Sequence, residues 1–196
     1  MRKGHATLAL MTASGHRRAT YEDLLRVPEH LVAEIINGEL VTSPRPASPH
    51  ARAASSIGGE LYGPFDRGRG GPGGWVILDE PELHLLGHVL VPDLAGWQRA
   101  RMPEMPDATA FELAPDWVCE VLSPSTAAID RADKVPIYAR AGVGHVWLVD
   151  PILKTLEARR LDAGSYRLLA TSRGDVNARI EPFDAVELEL SALWSR

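Results

Sequence analysis

A glutamate stands in the middle of the most apolar stretch of this chain, the run Trp117 to Leu122 (WVCEVL). Its aromatic and β-branched residues predict a strand. Alternation along that strand sends Trp117, Cys119 and Val121 to one face and Val118, Glu120 and Leu122 to the other. Both faces are otherwise apolar, so the strand is covered on both sides and Glu120 is left in a low-dielectric setting. A glutamate is almost never fully buried alone, because removing its charge from water costs several kcal/mol or more. Glu120 therefore needs a salt bridge, a strand end that reaches solvent, or a bound metal ion.

A second acid has the same peculiarity. The run Val89 to Ala95 (VLVPDLA) places Asp93 in apolar surroundings directly after Pro92. Proline has no N–H to give a sheet, so this point is an edge, a bulge or a strand end. Two acids on neighbouring strands suit a hard cation, since Mg²⁺ takes one or two carboxylates and completes its octahedron with water and substrate phosphate. Beyond Glu120, Ser123-Pro124-Ser125 turns the chain, and Asp130, Asp133, Lys134 and Tyr138 follow. Lys134 and Tyr138 share one face of a predicted helix. A lysine brought beside two metal-bound acids orients a water or offsets charge developing on a phosphate. An ordinary surface lysine is the plainer alternative.

The remaining pattern is that of one mixed α/β (α+β) domain without internal repeats. A short helix is predicted from Thr20 to Val27, stopping before Pro28. Asn37-Gly38 between β-branched runs marks a hairpin, because both residues tolerate positive φ. After the proline-rich Ser43 to Pro49, a helix runs from Ser48 or His50 to about Tyr62. Gly63 to Gly74 is predicted as a flexible loop. Strands are expected at Trp75–Leu78, Glu82–Leu86 and Val89–Trp97, with Arg99 to Ala114 as loop. A helix from Asp133 to Ala141 ends at Gly142. A strand at Val143–Val149, a meander through Leu156–Leu161 and Tyr166–Leu169, and a strand-like Val186–Leu190 complete the chain.

Residues 20–196 form this domain, and 1–19 are a frayed leader. Met1 to Arg18 faintly resembles a signal peptide, but its apolar run, Ala6 to Ala13, is short and two arginines follow it. Met11 is an alternative start. The only cysteine, Cys119, has no partner for an internal disulfide, so the cytoplasm is the default location. No apolar stretch approaches the roughly 20 residues that span a bilayer. The net charge of −5 argues against a broad basic DNA-coating surface, yet leaves room for a local groove among Arg45, Arg52, Arg67, Arg69, Arg99 and Arg101. Scattered solvated charges are the alternative reading of those arginines.

Taken together, Asn37-Gly38-Glu39 in a hairpin, His50, Pro92-Asp93, the block EVLSPST at 120–126, Asp130, Lys134, Tyr138, Gly142-Val143 and WLVDP at 147–151 resemble the Uma family of "putative restriction endonucleases". That family is a branch of the PD-(D/E)XK nuclease superfamily, and the resemblance runs from about Thr20 to Leu193. It implies a restriction-endonuclease-like core, a mixed central sheet flanked by helices behind an N-terminal β-hairpin. It further implies Mg²⁺-dependent phosphodiester cleavage, with Mn²⁺ as a substitute, and frequent homodimers. Asp93 takes the first acidic position and Glu120 the second, as metal ligands.

One departure stands out. The superfamily pattern puts lysine two residues after the second acid, where this chain has Leu122. The family moves that lysine to the next helix, and Lys134 matches the site. Glu34 and His50 match further positions near it; their plain readings are a hairpin surface charge and a solvent-touching helix residue. The function implied is a Mg²⁺-dependent endonuclease acting on nucleic acid, DNA before RNA, as a homodimer. The displaced lysine and acidic net charge leave two alternatives: a nuclease-derived module that binds nucleic acid or a protein without cutting, and an interaction protein with no nucleic-acid role.

Overall fold

The computed structural model describes residues 17–195, so most of the predicted leader and the choice between Met1 and Met11 lie outside the described residues. Helix α1 (Tyr21–Leu25) leads into the hairpin β1 (Leu31–Ile36) and β2 (Glu39–Pro44), followed by helix α2 (Ser48–Leu61). Strands β3 (Trp75–Asp79), β4 (Leu83–Leu85), β5 (His88–Leu90), β6 (Leu94–Gln98) and β7 (Trp117–Val121) come next. A helical crossover then runs through α3 (Ala127–Ile129), a π-helical turn (Asp130–Lys134) and α4 (Val135–Ala141). The chain finishes with β8 (His145–Asp150), β9 (Thr155–Asp162), β10 (Ser165–Arg173), the pair β11 (Asn177–Ala178) and β12 (Leu188–Glu189), and α5 (Ser191–Trp194).

The strand of Glu120 lies inside a six-stranded sheet of order β10-β9-β8-β7-β6-β3. Only β7 and β8 run parallel; the other pairs are antiparallel. A parallel pair needs a long crossover, and the α3–α4 segment supplies it. A second sheet, β2-β1-β5-β4, is built on the hairpin. Asn37 and Gly38 turn that hairpin at φ 55° and 84°.

Two apolar cores flank the large sheet, and the alternation along β7 assigns its residues to them as expected. Trp117, Cys119 and Val121 join Ala53, Ile57 and Leu61 of α2 and the C-terminal residues Phe183 and Leu193. The ring of Phe183 packs on Trp75, Trp117 and Trp147 with centroids 4.8, 4.9 and 5.6 Å away. Aromatic pairs of this kind contribute about 0.5–1.5 kcal/mol each beyond their buried area. On the opposite face Val118 and Leu122 meet Ile137 and Tyr138 of α4 and Ile36, Leu83 and Leu90 of the smaller sheet. The site described below lies where the two sheets meet.

Besides the C-terminal segment, where Val186–Leu190 shortens to β12 and β11 and α5 are added, three elements differ from the sequence expectation. The single strand expected over Val89–Trp97 is two, because Pro92 cannot donate to a ladder; β5 pairs in the small sheet and β6 in the large one. The helix expected from Asp133 begins at Ala127, and its π-helical turn ends just before Pro136, whose missing N–H and bulky ring break the ordinary four-residue repeat. The loop expected from Gly63 opens with another π-helical turn, Tyr62–Asp66. It is stitched down, with Pro64 O accepting from Gly73 N (2.8 Å), Gly63 O from Arg69 N (2.8 Å) and Asp66 Oδ2 from Ile77 N (3.0 Å). Among the described residues no helix is long and apolar enough to cross a membrane.

Candidate active site

The antiparallel register of β6 on β7 pairs Leu94 with Cys119, so Asp93, one step before Leu94, stands alongside Glu120 at the same sheet end. Glu34 arrives from β1 of the smaller sheet, and His50 from the first turn of α2. The crossover brings Asp130, Lys134 and Tyr138, spaced four residues apart, over the face of β7 that carries Glu120. These residues line or back one cavity of about 280 Å³. Glu34, Glu120, Asp130 and Lys134 are all the buried charged side chains among the described residues. Their burial in one place demands mutual compensation, since an unpaired buried charge is costly.

Lys134 is the centre of that compensation. Its Nζ lies 2.8 Å from Glu120 Oε1, 3.1 Å from Glu34 Oε1 and 3.5 Å from Asp130 Oδ1, and the residue is 3% exposed. The Tyr138 hydroxyl donates to Glu120 Oε1 at 2.6 Å. Glu34 Oε1 also accepts from the Val91 amide (2.8 Å), and Asp93 Oδ2 from the Val121 amide (2.7 Å). His50 Nε2 is 3.2 Å from Asp93 Oδ1, while its buried Nδ1 has no partner among the described residues.

Burial pushes the Glu120 carboxyl well up from its ordinary range, against the pull of Lys134. For Lys134 burial works against the charge, but Glu120 and Glu34 outweigh it and hold the ammonium protonated. Burial likewise raises Asp130. At His50 desolvation lowers the pKa, yet the Asp93 carboxylate more than restores it, so the ring titrates above 6.5.

The cavity wall carries the carboxylates of Glu34, Glu80, Asp93, Glu120 and Asp130 against the cations of Arg45 and Lys134. The excess of hard oxygen donors fits a divalent ion such as Mg²⁺. Among the described residues no three His, Cys, Asp or Glu side chains are grouped closely enough to hold a metal. Asp93 and Glu120, side by side at one sheet end, could supply two carboxylates to such an ion, with water completing its shell.

Asp93, Glu120, Lys134, Glu34 and His50, predicted from dispersed positions, all line this cavity. Glu34 is no surface charge, being 8% exposed. Lys134 is no surface lysine. Asp130 and Tyr138 were not singled out as site residues from the sequence, although their four-residue spacing from Lys134 put all three on one helix face. Of the six arginines considered for a basic groove, Arg45 alone lines the cavity. Arg99 and Arg101 are engaged by Asp66 and Asp116, 3.5 and 2.8 Å away.

A family model described as "Putative restriction endonuclease", Uma2, matches residues 18–192. A crystal structure from Anabaena variabilis ATCC 29413, described as a "putative nuclease belonging to DUF820", has the same fold. It superposes with a TM-score of 0.72 at 22% identity, over 90% of this chain and 97% of that one. No curated protein matches the chain.

Proposed function

The chain belongs to the Uma2 family, and from that membership we propose that it is a Mg²⁺-dependent endonuclease hydrolysing phosphodiester bonds of DNA. One observation carries the reading: every buried charge among the described residues is gathered in a carboxylate-rich cluster around one lysine, lining one cavity. A fold needs no such concentration of cost for stability alone, and perturbed ionisable groups in a cleft mark functional sites. The nuclease description of the Anabaena protein agrees with it.

Asp93 and Glu120 would hold the ion, Mg²⁺ or Mn²⁺. When bound, it polarises the scissile phosphate and makes its own water more acidic. Asp93 is fixed for this by the Val121 amide, and His50 braces its other oxygen. Lys134, kept charged by Glu120 and Glu34, presents a preorganised cation to the charge that builds on the phosphate. Glu34, anchored on the Val91 amide, sets where that ammonium sits. Arg45 on the rim meets the incoming polyanion.

The same geometry gives a second reading some support, because Lys134, 2.8 Å from Glu120, gives that carboxylate a counter-charge from the protein itself. In that reading the domain binds nucleic acid and does not cut. Plasmid nicking by the purified protein across Mg²⁺ and Mn²⁺ concentrations separates the two. Nicking by wild type, lost in Asp93→Asn, supports the enzyme; DNA binding without nicking at any metal concentration supports the binding module. We also propose a two-fold homodimer, for which the exposed strand β10 at the sheet edge is the available surface. A monomer mass by light scattering at micromolar concentration would refute it.

A further inference from the structure

Glu120 is held by two donors, and both fall on the same oxygen. The Tyr138 hydroxyl donates to Oε1 at 2.6 Å, and Lys134 Nζ lies 2.8 Å from that atom. Tyr138 is fully buried, and unlike Glu120 it forms no part of the cavity wall. Its ring packs in the core between the sheet and α4, so a phenylalanine would fill the same space. The hydroxyl alone reaches Glu120. The terminal torsion of a glutamate is broad and has no strongly preferred angle, so an unbraced carboxylate turns freely. Two donors on one oxygen remove that freedom and leave the second oxygen for whatever enters the cavity.

We propose that Tyr138 is a positioning residue for metal capture, fixing the Glu120 carboxylate so that Oε2 is the oxygen offered to the cation. The inference rests on the metal-dependent reading above and adds a residue to it. Burial and the neighbouring Glu120 push the Tyr138 hydroxyl to stay protonated, so it remains a donor throughout the working range. Groups that orient a metal ligand from behind change metal affinity about 10–100-fold when removed, although they never touch the ion.

The test is Mn²⁺ binding to DNA-free protein by titration calorimetry, read beside thermal stability. Tyr138→Phe should bind Mn²⁺ about 10–100-fold more weakly than wild type. Tyr166→Phe is the control: it also removes a half-buried phenol, one that donates to Val143 O at 2.6 Å, well away from Glu120. That variant should lose thermal stability and keep wild-type Mn²⁺ affinity. Unchanged affinity in Tyr138→Phe, or equal weakening in both variants, overturns the proposal.

Should Tyr138→Phe not fold, wild type answers instead. With only four tyrosines, ¹³Cζ labelling resolves each ring by NMR. The Tyr138 signal should move during a Mg²⁺ titration with the midpoint of binding while that of Tyr166 stays; a stationary Tyr138 signal overturns the proposal. Wild type that binds no Mn²⁺ sinks this inference and the metal-dependent reading together. Binding that is lost in Asp93→Asn but intact in Tyr138→Phe removes only the role of Tyr138.

Discussion

The carboxylate of Asp93 accepts the main-chain N–H of Val121 at 2.7 Å, so one acid of the site grips the chain immediately beyond the other, Glu120. Charge alone says that deleting Asp93 relieves repulsion among neighbouring acids. The structure sets a lost hydrogen bond against that relief. Asp93→Ala leaves the Val121 amide without its acceptor, which costs about 1–3 kcal/mol. Asp93→Asn keeps an acceptor there while removing the charge. Urea unfolding without metal should therefore rank wild type and Asp93→Asn close together, with Asp93→Ala clearly below them.

His50 reports the same carboxylate by its titration. Its pKa is raised because Asp93, aided by Asp130, outweighs desolvation. A histidine with a raised folded pKa stabilises the fold fully below its unfolded value, near 6.5, and loses that contribution as pH rises through the folded value. In Asp93→Asn the desolvation remains and its main opponent is gone. The His50 pKa in metal-free protein, followed by ring-proton NMR, should fall in that variant; an unchanged value would show that Asp93 does not set it.

Lys134→Met strands Glu120 and Glu34 in the interior, and breaking a buried pair in this way costs about 3–5 kcal/mol. The deficit has a sign in pH. Burial already raises the folded pKa of Glu120, and loss of the opposing lysine raises it further. Such a group destabilises the fold as pH climbs through that raised value, and costs least below the unfolded carboxyl pKa. Denaturation midpoints between about pH 5 and about pH 8 should show the variant falling progressively behind wild type. A deficit that does not change with pH would refute this account of the cluster.

Gly71 is required by space. A Cβ there would lie 2.8 Å from Pro64 O and 2.9 Å from Pro64 Cα, both backbone atoms that cannot swing aside. Gly71→Ala should cost about 1–3 kcal/mol, visible as a lower Tm. Gly59→Ala, with nothing within 4 Å of its added Cβ, is the control and should not lower it.

The hairpin at Asn37-Gly38, the two-faced strand of Glu120 and the helix stop at Gly142 were legible because each depends on local rules of backbone and alternation. The split at Pro92–Asp93 was half legible. Proline announced an interruption, but the assignment of β5 and β6 to different sheets depends on partners far along the chain. The early start of the crossover helix was not legible, because Ser123, Pro124 and Thr126 are turn-forming locally and the π-helical repeat has no simple periodic signature. Glu34 looked like a hairpin surface charge for a similar reason. Its strand alternates plausibly either way, and only the arrival of Lys134 from a hundred residues downstream makes its burial affordable.

The carboxylates of Glu34 and Asp93 each hold a main-chain amide of a neighbouring segment, Val91 and Val121. Those two hydrogen bonds flank the Val91–Asp93 junction, where the chain passes from the small sheet to the large one, and their amides gauge how firmly each side of it is held. A fluctuation that loosens Val91 from β1 exposes its proton to solvent, and one that frees Asp93 from β7 exposes that of Val121. The deuterium uptake of the two amides separates opening on the small-sheet side of the junction from opening on the large-sheet side, residue by residue, without a substrate or a probe.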